Sequence, residues 1–406
     1  MTVRVTVVLP ADPERLQLGG IASFVRGFTK FAPPDFDLRL VGISSGEQPR
    51  AVGRWSEVEL EGRALRFLPA TSRATTARGL IPLALSFTAA LRRQRRLLAA
   101  DWSVLQFHRP ATAQPLLALP QPKVRVVHLT TDQLRSGGSE SRWRLLGPLL
   151  DRMEARSFAA MDRIYVVNRA ATDAYRLRYP RLAERIAFVP NWVDDTIFRP
   201  LPEERRRELR ADLSTQHRLP DAARVVLFAG RLERQKDPDL LLEAFARLRR
   251  LEPSVALVVV GAGGLRSATD RKTAELGIGD AVRLLDPVPR PELAELMNAA
   301  DCLLVTSAFE TGPTVAYEAL ACGLPVVATA VGQIPELVRN GSNGEVTADR
   351  DPQRLADALQ RVLSGAADKL RTASAAAADP FRASTVLAGV YAEHRRLAET
   401  PAGGGA

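Results

Sequence analysis

The chain has 406 residues, 46% apolar and 25% charged, with a formal net charge of +10 at pH 7; that is long for one domain and sufficient for two α/β domains, each with its own core. No uninterrupted apolar run reaches the roughly 20 residues of a membrane-spanning helix, and the opening MTVRVTVVLP lacks the length and cleavage pattern of a secretory signal, so a cytoplasmic location is expected. The excess positive charge is almost all arginine, lysine standing only at positions 30, 123, 236, 272 and 369, and no mixture of basic and aromatic residues suits base stacking; nucleic-acid binding is set aside in favour of an anionic substrate or an anionic membrane surface.

In chain order, the first half carries the β-rich runs VRVTVVLP, LRLVGIS, ALRFLPA, SVLQFH, VRVVHLT and RIYVVN, separated by helix-length segments. Such alternation predicts parallel strands covered by helices. Gly19 and Gly20 precede a helical IASFVRGF. In SFTAALRRQRRLLAADW, Phe87, Leu91 and Leu98 share one helical face, with Arg92, Arg93, Arg95 and Arg96 around it. An ordinary surface helix is the preferred reading; laid on anionic lipid, the same helix would give peripheral binding at the inner face of the cell membrane. The proline- and charge-rich PNWVDDTIFRPLPEERRRELRADL marks the expected domain junction, and Asp194–Asp195 within it reads as a turn or helix cap, not a metal site. RVVLFAG, VALVVVG, AVRLLD, DCLLVTS and LPVVAT then form a second series. Two doubly wound Rossmann-like domains facing across a deep cleft follow: residues 1–195 and 196–380, then a helix over 381–399 and a structureless tail over 400–406. Cys302 and Cys322 read as small buried residues.

The residues that carry chemistry sit in two strand-loop-helix units, FAGRLERQKDPDLLLEAF and SAFETGPTVAYEALACGLPVVAT. Gly230, Arg231 and Lys236 occupy the first loop, and Asp237 with Pro238 supplies an N-cap and first-turn proline. In the second, Glu310 and Glu318 have seven residues between them, and a helix beginning near Pro313 and Thr314 turns its free N–H groups towards the site. Two cations and a helix end suit the growing charge of a leaving nucleoside diphosphate without a metal. Glu318 could accept hydrogen bonds from a ribose diol, and Glu310 could meet sugar hydroxyls.

These segments resemble the large retaining GT-B glycosyltransferase family, the group-1 family with the Glu-x7-Glu motif. Glu310 and Glu318 meet that motif, and Gly230, Arg231, Leu232 and Lys236 meet its Gly-Arg-Leu and downstream lysine; VPNWVDDTIFRP resembles its interdomain stretch with Trp192 in place of glycine, and VVGAGG its glycine-rich turn. The resemblance implies a hexosyltransferase moving a sugar from a nucleoside-diphosphate donor to a hydroxyl of a glycan, lipid-linked or small-molecule acceptor, with front-face retention and no required cofactor or metal. It further implies that Arg231, Lys236, Glu310 and His128 form the catalytic group, and that Gly20, Gly230, Val288, Thr314, Val315 and Glu318 bind the donor. The base would be read by backbone near Asp286, Pro287 and Val288, and His108 is a weaker candidate than His128. The glycine-rich stretch between the two glutamates becomes TGPTVAY here. The rival readings are a catalytically idle sugar-nucleotide-binding subunit and, on the same fold, an epimerase or phosphorylase.

Overall fold

The computed structural model describes residues 2–16, 20–45, 49–73, 83–128, 147–220, 223–310 and 313–399. By its contacts the chain divides into two compact units, Met1–Pro190 with Ser384–Ala406, and Asn191–Ala383.

The first unit is built on an eight-stranded sheet of order β3-β4-β2-β1-β5-β6-β7-β8. Its strands are β1 (Val3–Val8), β2 (Phe36–Ser45), β3 (Ser56–Leu60), β4 (Arg63–Arg73), β5 (Val104–Phe107), β6 (Lys123–Val127), β7 (Arg163–Val166) and β8 (Ile186–Phe188). All pairings are parallel except that of β3 with β4. That hairpin departs from the all-parallel expectation. Its two-residue turn, Glu61 at φ +54 and Gly62 at φ +73, has the doubly left-handed geometry that matches strand twist. The helices described in this unit include α1 (Gly20–Lys30), α2 (Leu83–Ala99), α3 (Gly147–Ala159), α4 (Arg169–Arg178) and, from the far end of the chain, α12 (Ala383–Glu399). Phe87, Leu91 and Leu98 of α2 are buried in the core of their own unit, so the apolar face that lipid would need is already covered. Arg92, Arg93, Arg95 and Arg96 are exposed.

The second unit is a wholly parallel six-stranded sheet of order β11-β10-β9-β12-β13-β14. Its strands are β9 (Arg224–Ala229), β10 (Val255–Val260), β11 (Val282–Leu285), β12 (Cys302–Val305), β13 (Val326–Thr329) and β14 (Gly344–Thr347). Every residue of β10, β12 and β13 is buried, as expected for strands covered on both faces. Alternate residues feed two cores: Val225 and Leu227 join one, Val226 and Phe228 the other. Covering helices are α5 (Glu203–His217), α6 (Pro238–Leu251), α7 (Arg266–Glu275), α8 (Arg290–Ala299), α9 (Thr314–Ala321), α10 (Pro352–Ser364) and α11 (Ala367–Ala378). The charged part of the expected junction is therefore helix α5, anchored by buried Leu209 and Leu213. Both cysteines are buried and free. Among the described residues no helix is long and apolar enough to cross a membrane.

Candidate functional site

Strand order reverses between β9 and β12 in the second unit, and loops leaving adjacent strands at such a point diverge to frame a ligand crevice at their carboxyl ends. Here those two loops are Gly230–Asp237 and Thr306–Glu310, and they are tied together. Thr306 Oγ1 donates to the carbonyls of Lys236 (2.8 Å) and Asp237 (3.1 Å). Ala308 N donates to Gln235 O at 2.7 Å, and Gln235 Nε2 to Phe309 O at 3.1 Å. Thr329 Oγ1, at the end of β13, reaches Ser307 O at 2.8 Å.

The glycine-rich turn after β10 fixes the first loop from the other side. Gly230 N donates to Val260 O (3.0 Å), Leu232 N to Ala262 O (2.9 Å) and Leu265 N to Leu232 O (2.9 Å). A Cβ on Gly261, at φ +153, would lie 1.9 Å from the Gly230 carbonyl oxygen, and one on Gly263 would lie 2.4 Å from that of Leu232. Glycine there is a packing requirement of the Arg231 loop, a role the sequence reading did not assign to VVGAGG.

Lys236 ends this loop and pairs with Glu310, whose Oε1 also accepts from Ser307 Oγ at 2.9 Å. Both side chains are largely buried, at 17% and 10% exposure. Lys236 is followed by Asp237 in the left-handed region (φ 49, ψ 70), where its side chain caps α6 by accepting from Leu240 N at 3.1 Å and also pairs with Arg350. A non-glycine residue held at positive φ stores strain that its surroundings must offset. Arg231, by contrast, is 66% exposed and pairs with Glu233 of its own loop at 2.9 Å. The two cations thus stand on one loop, but Lys236 alone of the pair is joined to Glu310.

Glu318 lies on α9, one turn beyond Thr314 and Val315, both half-buried at the start of that helix. Pro313 provides no side-chain cap, and Ala316 N donates to the Pro313 carbonyl at 3.0 Å; among the described residues no side chain caps the first turn. Glu318 Oε1 is 3.5 Å from Arg290 at the start of α8, and Arg290 lies 3.7 Å from Asp194. Burial pushes the Glu318 carboxyl above its ordinary range while the Arg290 guanidinium pulls it back. Arg290 was missed in the sequence; in DPVPRPEL only its place after a proline that opens a helix marked it. Asp194 itself closes a local turn, accepting from Thr196 N and Oγ1 at 3.2 and 2.6 Å. Val288, half-buried in the segment after β11, packs against the core that contains α9.

The remaining residues belong to the first unit. His128 follows β6 directly, and its Nε2 is 3.0 Å from Nδ1 of His108, which follows β5. Phe24 of α1, one turn after Gly20, sets its ring edge-on to both imidazoles, with centroids at 5.3 and 5.4 Å. Burial lowers the His128 pKa to about 3, with Arg109 contributing, and lowers that of His108 as well; both rings are neutral at pH 7. Gly20 is exposed at the start of α1, and a Cβ there would meet nothing within 4 Å among the described residues, so their packing does not demand a glycine. Gly19 lies outside the described residues.

The family model of glycosyl transferases group 1 matches residues 210–379, and that of glycosyltransferase family 4 matches residues 19–197. D-inositol 3-phosphate glycosyltransferase 1 of Catenulispora acidiphila is 34% identical over 326 residues, 75% of this chain and 74% of that protein. The D-inositol 3-phosphate glycosyltransferase of Stackebrandtia nassauensis is 34% identical over 290 residues, 69% of this chain and 60% of its own length. Among solved structures, sucrose-phosphate synthase from Thermosynechococcus elongatus aligns with a TM-score of 0.75 at 20% identity, covering 97% of this chain and 99% of that one. Anabaena Alr3699/HepE, solved with UDP and glucose, aligns with a TM-score of 0.68 at 18% identity, covering 97% and 99%. At these identities the two structures speak for the fold.

Proposed function

The chain belongs to the group 1 glycosyltransferases of GT-B fold, and from that premise we propose that it moves a hexose from a nucleoside-diphosphate sugar to an acceptor hydroxyl with retention and without a metal. The observation that carries this reading is the pairing of Lys236 with Glu310 between loops hydrogen-bonded to each other on either side of the switch point. Lys236, Arg231 and the first amides of α9 meet the diphosphate; Glu310 meets sugar hydroxyls. A cation set beside the leaving oxygen and the positive end of the α9 dipole stabilise the charge that develops as the bond to the sugar breaks.

Arg231 is the mobile member of this set. Its weak surface pair with Glu233 costs little to give up, so the planar guanidinium is free to re-pair with two oxygens of a phosphate, which its fork engages bidentately. Glu318, held near Arg290, takes the ribose diol, and the backbone at Val288 reads the base. With the acceptor proton passing to the leaving phosphate, no protein nucleophile is needed.

The relatives at 34% identity are named for an inositol phosphate acceptor, and the net charge of +10 favours an anionic substrate. A phosphorylated small-molecule polyol is therefore the first acceptor class to try. Incubation with a panel of nucleoside-diphosphate hexoses and polyol phosphates, read by product NMR, tests the proposal. An α-linked product from an α-linked donor in chelator is the expected outcome; a β-linked product, or turnover that needs added divalent metal, would overturn retention or metal independence respectively.

A further inference from the structure

Behind His128 runs a buried chain of side chains that the proposed reaction does not use. His128 Nε2 lies 3.0 Å from His108 Nδ1, His108 Nε2 lies 3.0 Å from Gln106 Nε2, Gln106 Oε1 lies 2.9 Å from His394 Nε2, and His394 Nδ1 lies 2.7 Å from the carbonyl of Val390. His108, Gln106 and His394 are 4%, 0% and 0% exposed. Phe24 sets its ring against both His108 and His128, and Phe28 lies 5.3 Å from His394.

Each contact needs one proton, and the Val390 carbonyl can only accept, so His394 must carry its proton on Nδ1. With the Gln106 oxygen facing His394, His394 Nε2 needs a proton too, making a buried imidazolium; exchanging the oxygen and nitrogen of the amide removes that need. The His394 ring is 0% exposed and its hydrogen-bond partners, Gln106 and the Val390 carbonyl, are neutral, so a cation there would be desolvated without a carboxylate bonded to it; burial accordingly lowers its pKa. The two ends of an amide occupy equivalent positions, so the proton inventory decides its orientation. The Gln106 NH2 donates to His394 Nε2, its oxygen then accepts from His108 Nε2–H, and His108 Nδ1 is left to accept from His128 Nε2–H. Every bond is satisfied with three neutral rings, and all donors point away from the end of β6.

We infer that His394, on the last helix, sets through Gln106 and His108 the tautomer of His128, leaving its Nδ1 as a bare acceptor for a substrate hydroxyl. His394, Gln106 and His108 are positioning residues. The substrate half of this inference rests on the reading of His128 as a sugar-side residue; the tautomer does not. It makes His128 a group that accepts from a hydroxyl, and it makes α12, remote in sequence, part of the site's proton arrangement.

The chain has 4 histidines, so long-range proton–nitrogen NMR of the full chain labelled with 15N-histidine, recorded without nucleotide, can be assigned by single substitutions. The expected spectrum shows His128 as the Nε2–H form by about tenfold or more, the bias that one well-made hydrogen bond gives. Gln106→Met and, separately, His394→Phe should bring the two His128 forms towards parity. A His128 signal in the Nδ1–H form, an even mixture in the wild type, or no change in a folded Gln106→Met protein would overturn the inference. Because no nucleotide is present, those failures leave the donor site untouched, and a failed donor site leaves the tautomer standing.

Discussion

At the scale of single residues, Asp237 is scaffolding, whereas Glu310 is the carboxylate to which the proposed reaction gives a part in the chemistry. Asp237 combines a left-handed backbone, a helix cap on Leu240 and a pair with Arg350. Asp237→Ala loses the cap and adds the steric cost of Cβ at positive φ without local compensation, roughly 1.5–3 kcal/mol together. Asp237→Gly loses the cap but not the backbone conformation and should cost less, and Asp237→Asn least of all; urea denaturation gives the order. Glu310→Gln should act differently. It releases Lys236 from its carboxylate, so a bare nucleoside diphosphate should bind at least as tightly as to the wild type, while kcat/KM for the sugar nucleotide falls roughly 100-fold with the lost sugar contact. Equal losses in both would place Glu310 in support of the loop alone.

At the scale of elements, the glycine-rich turn after β10 is the support for the Arg231 loop. Gly261→Ala puts a Cβ 1.9 Å from the Gly230 carbonyl oxygen. The overlap should cost roughly 1–3 kcal/mol and, by shifting the backbone at Arg231, weaken nucleotide binding more than an equally destabilising core truncation such as Val258→Ala; paired melting and binding measurements separate the two effects. Elements were legible in the sequence where burial was complete. The runs VALVVV and CLLV announced themselves because both faces are covered. β3, β8 and β14 escaped notice. All three are sheet edges of three to five residues that include half-buried or exposed positions, and edges carry little hydrophobic signal. Helix α5 was read as junction because 2 of its 15 residues, Leu209 and Leu213, are buried. Pro238 and Asp237 did mark the start of α6, since a cap and a first-turn proline are local chemistry. The pairing of Lys236 with Glu310 is another matter: 74 residues separate them, and only the strand order of the sheet brings their loops together. Arg290 with Glu318, and His394 with Gln106 across 288 positions, are likewise tertiary contacts, made by the packing of helix on helix and of the last helix on β5.

At the scale of the whole molecule, buried neutral histidines make the first unit sensitive to acid. His394 titrates at about 4 in the folded chain and near 6.5 when unfolded, and His108 is lowered as well. The unfolded state therefore binds more protons below pH 6.5, so stability is full above that value and declines as the pH falls towards 4, by up to about 1.4 kcal/mol per pH unit for each ring. Thermal melts at pH 7.5, 6.0 and 5.0 should show the decline, and His394→Gln should flatten it. Membership of a donor-using enzyme class rests on similarity across most of the chain; the chemistry rests on the site in the second unit. That site is tested most directly by calorimetric titration of the wild type, Arg231→Ala and Lys236→Ala with UDP, GDP, ADP and their sugar conjugates in chelator. One nucleotide should bind the wild type, and each substitution should weaken it at least tenfold, the loss of a charge-assisted hydrogen bond. Unchanged affinity in both variants, or binding only when divalent metal is restored, would contradict a diphosphate held by Arg231 and Lys236.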